Sequence, residues 1–215
     1  MFYASYGSFI HKLLEQYYKG EISKDAMYMK FLFHFENEVQ GERPAPGTVE
    51  KYIQSGISYF RDFNPMPFKT LAVEQEVRFD IDGTPFIGYV DYIGENHGIH
   101  VIDHKSRDLS PRSHRKKPTK KDELLDTMLR QLYIYAKPVS ELYNESPSSL
   151  CYNCFRTGMF IQEPFDDKAY HDALQWAHDS VEEIKDTEEF PPDVEFFKCK
   201  YLCGLNHECC YWEMR

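Results

Sequence analysis

The sequence lacks any apolar run approaching the roughly 20 residues needed to cross a bilayer. Its opening residues, MFYASYGSFIHKLL, have no basic segment followed by an apolar core, so no secretory signal is read there. Low-complexity stretches and internal repeats are missing, which argues against solenoids and linker arrays. Positive charge is scarce: 25 Lys and Arg stand against 35 Asp and Glu, a formal net charge of −10. That balance excludes a general basic coat for polyanions, but it leaves room for a local basic contact beside an acidic site. With no signal, the six cysteines read as reduced thiols or a metal site in a cytoplasmic protein rather than as a disulfide framework.

What is present suits one large domain. The chain has 215 residues, 42% hydrophobic and 28% charged, enough for a sizeable core. Sixteen Tyr and sixteen Phe argue for order over most of the length.

The most informative stretch runs from Gly88 to Lys105, GYVDYIGENHGIHVIDHK. It reads as two strands, Phe86–Ile93 and Ile99–Lys105, joined by the turn-forming residues Gly94–Gly98. Alternation places Ile99, Val101, Asp103 and Lys105 on one face, so a carboxylate and an amine end an otherwise apolar face. Asp91 lies late on the neighbouring strand, and the register that would bring it beside Asp103 is left open. Two carboxylates and a lysine at a sheet rim suit metal-assisted hydrolysis. Carboxylate oxygens hold Mg²⁺, the ion activates water, and the ammonium offsets developing charge. An isolated D-x-K is, however, common by chance on solvated hairpins.

Around this hairpin, periodicity predicts helices over Gly7–Lys19, from Ser23 as N-cap toward Val39, and over Thr48–Phe63. A strand over Leu71–Ile81 precedes the hairpin and makes an antiparallel meander with it. Glu74 on that strand has two readings, a place near the site or a solvated strand glutamate, and the second is preferred. The segment Arg107–Lys121 reads as a basic loop, expected to be mobile without a ligand, with Arg112, Arg115, Lys116, Lys117, Lys120 and Lys121 placed to meet phosphates beside the D-x-K. A helix is expected over Asp122–Ala136, closed by Lys137-Pro138, with Gln131 and Tyr135 on one face. Leu150–Ile161 reads as a further strand or pair, and Asp166–Asp186 as a long helix. The tail carries Cys199, Cys203 and Cys209 with Cys210 and His207 nearby, a pattern that suggests soft-metal ligation.

In order along the chain, Gly7-x₃-His11, Gly88-Tyr89-Val90-Asp91, Ile102-Asp103-His104-Lys105 and Gln131-x₃-Tyr135, followed by the cysteine tail, resemble the RecB-type branch of the PD-(D/E)XK nuclease superfamily. That branch includes the AddB nuclease domain, CRISPR-associated RecB-like exonucleases and phage-borne single-domain versions. The resemblance implies an α/β restriction-endonuclease-like core, a mixed central sheet flanked by helices. It implies one nuclease domain over 1–215: a helical part (1–70), the catalytic sheet with the Q-x₃-Y helix (71–165), a long helix (166–195) and the cysteine tail (196–215).

By the same resemblance His11, Asp91, Asp103 and the His104 backbone carbonyl would hold Mg²⁺ or Mn²⁺. Lys105 would orient the attacking water, and Gln131 and Tyr135 would position Lys105 or the substrate strand. The implied activity is exonucleolytic hydrolysis of DNA in processing, recombination or repair, with recombination, CRISPR or phage replication proteins as partners and no membrane. Iron–sulfur members bind a 4Fe-4S cluster through three C-terminal cysteines, matched by Cys199, Cys203 and Cys209, and one cysteine ahead of the first helix. No cysteine stands there in this sequence, and Cys151 and Cys154 lie mid-chain. A shortened N-terminus, a lost cluster, Cys210 as a substitute ligand or a Cys₃His zinc site with His207 each accommodates that. Two competing readings keep the same fold: a noncatalytic DNA-binding or assembly subunit with a structural metal knuckle, and a restriction-like endonuclease.

Overall fold

A run of aromatic and aliphatic residues at helical spacing builds the N-terminal part. A computed structural model describes residues 1–213. Helix α1 spans Phe2–Tyr18, α2 Lys24–Glu38 and α3 Pro46–Arg61. Ser23 caps α2 as expected, its side chain accepting from the Ala26 amide at 3.2 Å. Helix α1 begins five residues before the predicted Gly7, because Phe2 and Tyr6 belong to its buried stripe. Phe9 stacks on Phe31, Phe31 meets Phe60, and the Tyr6 hydroxyl reaches the Tyr52 carbonyl at 3.0 Å. These helices and the chain from Thr187 onward form one compact unit; residues Asn64–Asp186 form the other.

The second unit is built on a five-stranded sheet in the order β1-β2-β3-β4-β5. Strand β1 (Lys69–Ile81), β2 (Thr84–Glu95) and β3 (Ile99–Lys105) make the expected antiparallel meander. Helix α4 (Lys120–Tyr143) then crosses to β4 (Ser149–Cys154), which pairs parallel to β3. Strand β5 (Met159–Pro164) returns antiparallel to β4, and α5 (Asp167–Asp186) follows. A mixed sheet with helices packed beside it is the α/β restriction-endonuclease-like core that the motifs implied.

The core lies between sheet and helices. Val77, Phe79, Val90, Ile93, Val101, Leu150 and Tyr152 pack with Leu125, Leu129 and Leu132 of α4 and Ala173 and Ala177 of α5. The Tyr152 hydroxyl donates to the Met128 carbonyl at 2.6 Å, and the Arg130 guanidinium lies 4.5 Å from the Trp176 ring centroid, tying α4 to β4 and α5.

Two further expectations differ from the fold. Helix α4 runs through Pro138 and ends only at Asn144, which adopts a left-handed conformation. A proline removes one backbone donor, and here it is buried within the helix, so burial outweighs the lost bond. The tail, expected as a loop, contains α6 (Phe196–Tyr201) and α7 (Cys210–Glu213).

Candidate active site

Register decides what the rim of the sheet presents. Strands β2 and β3 pair from Glu95↔Ile99 to Tyr92↔Ile102, so Asp91 and Asp103 are the next positions where the ladder stops. There the backbone bond is replaced: the His104 amide donates to Asp91 Oδ2 at 2.7 Å. The register left open by the sequence therefore sets the two aspartates on adjoining strands at one end of the hairpin.

Asp103 is almost fully buried, and its neighbour two residues on supplies the compensating charge. Lys105 Nζ lies 3.0 Å from Asp103 Oδ1 and 2.9 Å from Oδ2. The same ammonium donates to Gln131 Oε1 at 3.1 Å, and Gln131 Nε2 donates to the Tyr135 hydroxyl at 3.2 Å. One helical turn separates Gln131 from Tyr135, so α4 carries both onto one line pointing at the D-x-K. Asp103, Lys105, Gln131 and Tyr135 thus form one continuous hydrogen-bonded chain. Burial pushes the Asp91 carboxyl up to about 6, while the His104 amide and the Lys105 charge pull it the other way.

Glu74 joins this group, against the solvated reading made from strand alternation. The flanking pairs Val73↔Tyr92 and Gln75↔Val90 set it opposite Asp91. Its backbone is left-handed, with φ of +49°, a conformation that costs a non-glycine residue about 1–2 kcal/mol. A carboxylate oxygen of Glu74 lies within 4.8 Å of one from Asp91. Two ligands on one Mg²⁺ stand up to about 4.2 Å apart, given metal–oxygen distances of about 2.1 Å. Glu74 and the desolvated Asp91 offer the hard carboxylate oxygens that a divalent cation takes, close enough for a small inward movement to bring both onto one ion. Nothing in alternation marks Glu74; only a left-handed break inside a strand distinguishes it, and that break is not written in local composition.

The other expected site residues fall in several places. His11 is partly buried on α1, in the first unit. His104 turns its backbone N–H to Asp91, and its buried ring sits 3.0 Å from the Asn153 amide. Arg112 is paired with Asp126 and Glu163, each at 2.7 Å, and Lys121 donates to Ser110 Oγ at 3.1 Å. Arg115, Lys116, Lys117 and Lys120 are exposed along the loop and the start of α4. Cys199, Cys203 and Cys209 are partly buried and Cys210 is exposed. Among the described residues no three of these sulfurs, with or without His207, gather as a ligand group. The structure therefore lends the iron–sulfur and zinc readings no support. Cys151 and Cys154 are buried on β4, and burial pushes their thiols up to about 12 and about 11, which leaves them unreactive.

The basic loop is organised by one buried acid. Asp122 accepts from the Ser113 amide and hydroxyl, both at 2.7 Å, and from the Thr119 amide and hydroxyl at 2.6 and 2.7 Å. These bonds hold its carboxyl well below the usual carboxylate range. Its hold on the loop is complete above the unfolded value near pH 4 and fades only as pH falls below it. Asp122→Ala is expected to release residues 106–119, so that limited proteolysis cuts there first at neutral pH; an unchanged cleavage pattern would refute this.

A family model described as PD-(D/E)XK nuclease superfamily matches residues 2–210. Comparison with curated proteins finds no match. Among solved structures, the chain is similar to a candidate exonuclease from Eubacterium rectale, at 12% identity and a TM-score of 0.47, over 92% of this chain and 80% of that one. It is also similar to the protein SSO0001, at 21% identity and a TM-score of 0.35, over 78% and 72% of the two chains.

Proposed function

The chain belongs to the PD-(D/E)XK nuclease superfamily, and from that premise we propose that it hydrolyses phosphodiester bonds in DNA with Mg²⁺ or Mn²⁺, as an exonuclease of the RecB type. The observation that carries the reading is the chain Asp103–Lys105–Gln131–Tyr135 standing beside Asp91 at the end of the β2–β3 ladder. Exonuclease action and a role in DNA processing, recombination or repair rest on the ordered motifs of the RecB-type branch.

Asp91 and Asp103 would hold the cation. The resemblance adds His11 and the His104 carbonyl, and the position of Glu74 adds its carboxylate. A bound divalent ion supplies an activated water and neutralises charge on the scissile phosphate. Lys105 does the rest of the electrostatic work. Its ammonium has three donors; Asp103 and Gln131 hold it in two directions, and a third N–H would serve water or a phosphate oxygen. Tyr135 holds Gln131, and so acts on Lys105 at one remove. Arg115, Lys116, Lys117 and Lys120 would steer the strand by its phosphates; Arg112 braces the loop through Asp126 and Glu163.

Purified protein incubated with linear and with covalently closed circular DNA tests the proposal. Linear DNA should be digested in Mg²⁺ or Mn²⁺, the circle spared, and EDTA should stop the reaction. Cutting of the circle would replace exonuclease by endonuclease. Salt-sensitive DNA binding without hydrolysis in either metal would overturn catalysis in favour of a noncatalytic subunit. His11→Ala should raise the Mn²⁺ concentration needed for half-maximal rate; an unchanged requirement would remove His11 from the ligand set.

A further inference from the structure

We propose that Gly88 is a positioning residue for Lys105, acting through the ring and hydroxyl of Tyr135; the inference rests on the nuclease reading above. Gly88 is buried on β2, three residues before Asp91, and pairs with Val77. The Tyr135 ring lies against its backbone. A Cβ at position 88 would stand 2.6 Å from Tyr135 Cε1, 3.4 Å from Cζ and 3.5 Å from Cδ1. The first distance is well inside carbon–carbon contact, about 3.5–4.0 Å. Only hydrogen fits, so the absence of a side chain at 88 is what seats the ring.

The seat matters because of what the ring carries. The Tyr135 hydroxyl accepts from Gln131 Nε2 at 3.2 Å, and Gln131 Oε1 accepts from Lys105 Nζ at 3.1 Å. Both bonds are near the long end of the usual range, so a shift of about 1 Å breaks the first and frees Gln131 to turn. Gly88 also shares its strand with Asp91, whereas Lys105 comes from β3 and Gln131 from α4. The contact therefore gauges the distance between the strand bearing one proposed ligand and the helix that aims the lysine. A displacement of about 1 Å in a reacting group can cost on the order of 10²-fold in rate.

The test separates positioning from packing. Gly88→Ala should lower the single-turnover rate of DNA hydrolysis about tenfold or more while DNA affinity in Ca²⁺ changes less than about twofold. In a Tyr135→Phe background the ring still collides with the new methyl, so the melting temperature should fall as before. The hydroxyl link is gone, however, and the rate should not fall further. An equal rate loss in both backgrounds would reduce Gly88 to a packing position and overturn the proposal. The side-chain amide resonance of Gln131 gives a readout that needs no catalysis. Gly88→Ala should shift it in wild type and leave it unchanged in Tyr135→Phe; no shift in wild type overturns the proposal even if the protein cleaves DNA. Should wild type fail to cleave, the nuclease reading falls and the amide signal still decides the link. If Gly88→Ala does not fold, Gly88→Ala with Tyr135→Ala must, because the obstructing ring is removed; failure there overturns the contact itself.

Discussion

Lys105→Met should lower DNA hydrolysis by about 10²–10³-fold at saturating Mg²⁺, with KM for DNA changed far less. The side chain keeps its length and loses its charge. Three things go with that charge: the donor aimed at water or phosphate, the anchor for Gln131, and the partner of Asp103. The first two act on the transition state, so the loss belongs in kcat. The third is a stability effect. Asp103 is about 5% exposed, and removing the partner of a buried charge costs several kcal/mol where the geometry is closed. The Lys105 side chain is 23% exposed, so water can reach the pair and the expected cost is nearer 1–2 kcal/mol. Lys105→Met together with Asp103→Asn should recover that stability and recover no activity. A Lys105→Met enzyme that cleaves DNA at the wild-type rate would remove the lysine from the mechanism.

Asp91 sets the pH behaviour of the metal-free protein. Its folded pKa, about 6, lies above the ordinary 3.8, so the folded chain binds this proton more tightly than the unfolded one. The stability linked to it is fully present below about pH 4 and lost as pH rises through about 6; above that, an ionised carboxylate stands in a partly dry site at a standing cost. A shift of this size corresponds to about 3 kcal/mol, reduced to about 2 because the side chain is only partly buried. In EDTA at pH 8, Asp91→Asn should therefore be more stable than wild type by about 1–2 kcal/mol. The amide oxygen still accepts from His104, and the charge is gone. At pH 4 the difference should vanish. Mg²⁺ or Mn²⁺ should stabilise wild type at pH 8 and do little for Asp91→Asn, which should also be inactive. Denaturant unfolding of both proteins at the two pH values checks this; a difference that does not change with pH would contradict the assignment of a desolvated carboxyl to Asp91.

Much of the site could be read residue by residue because its parts are local. Asp103 and Lys105 share a strand face at spacing two, and Gln131 and Tyr135 share a helix face at spacing four, so each pair is oriented by backbone geometry alone. Ser23 was readable as a cap because capping needs only one side chain and the next turn. Pro138 misleads because proline usually ends a helix; its burial is a tertiary term that no local rule contains. The basic loop was legible as a charge cluster, but its internal order was not. Asp122 reaches nine residues back to Ser113, and that bond turns a run of lysines and arginines into a pinned loop.

From residue types and short spacings alone came the helices, the three-stranded meander, the shared strand face of Asp103 with Lys105 and the shared helix face of Gln131 with Tyr135, and the ordered motifs that resemble a nuclease family. Those features depend on periodicities of two and 3.6 residues, which a linear chain displays openly. Folding decided the rest. It brought Glu74 opposite Asp91, stopped the β2–β3 ladder at the two aspartates, set Gln131 against Lys105 and pressed Tyr135 onto Gly88. Each of these needs a strand register or a helix-to-sheet distance, and both are fixed by the summed packing of distant side chains rather than by any neighbour along the chain.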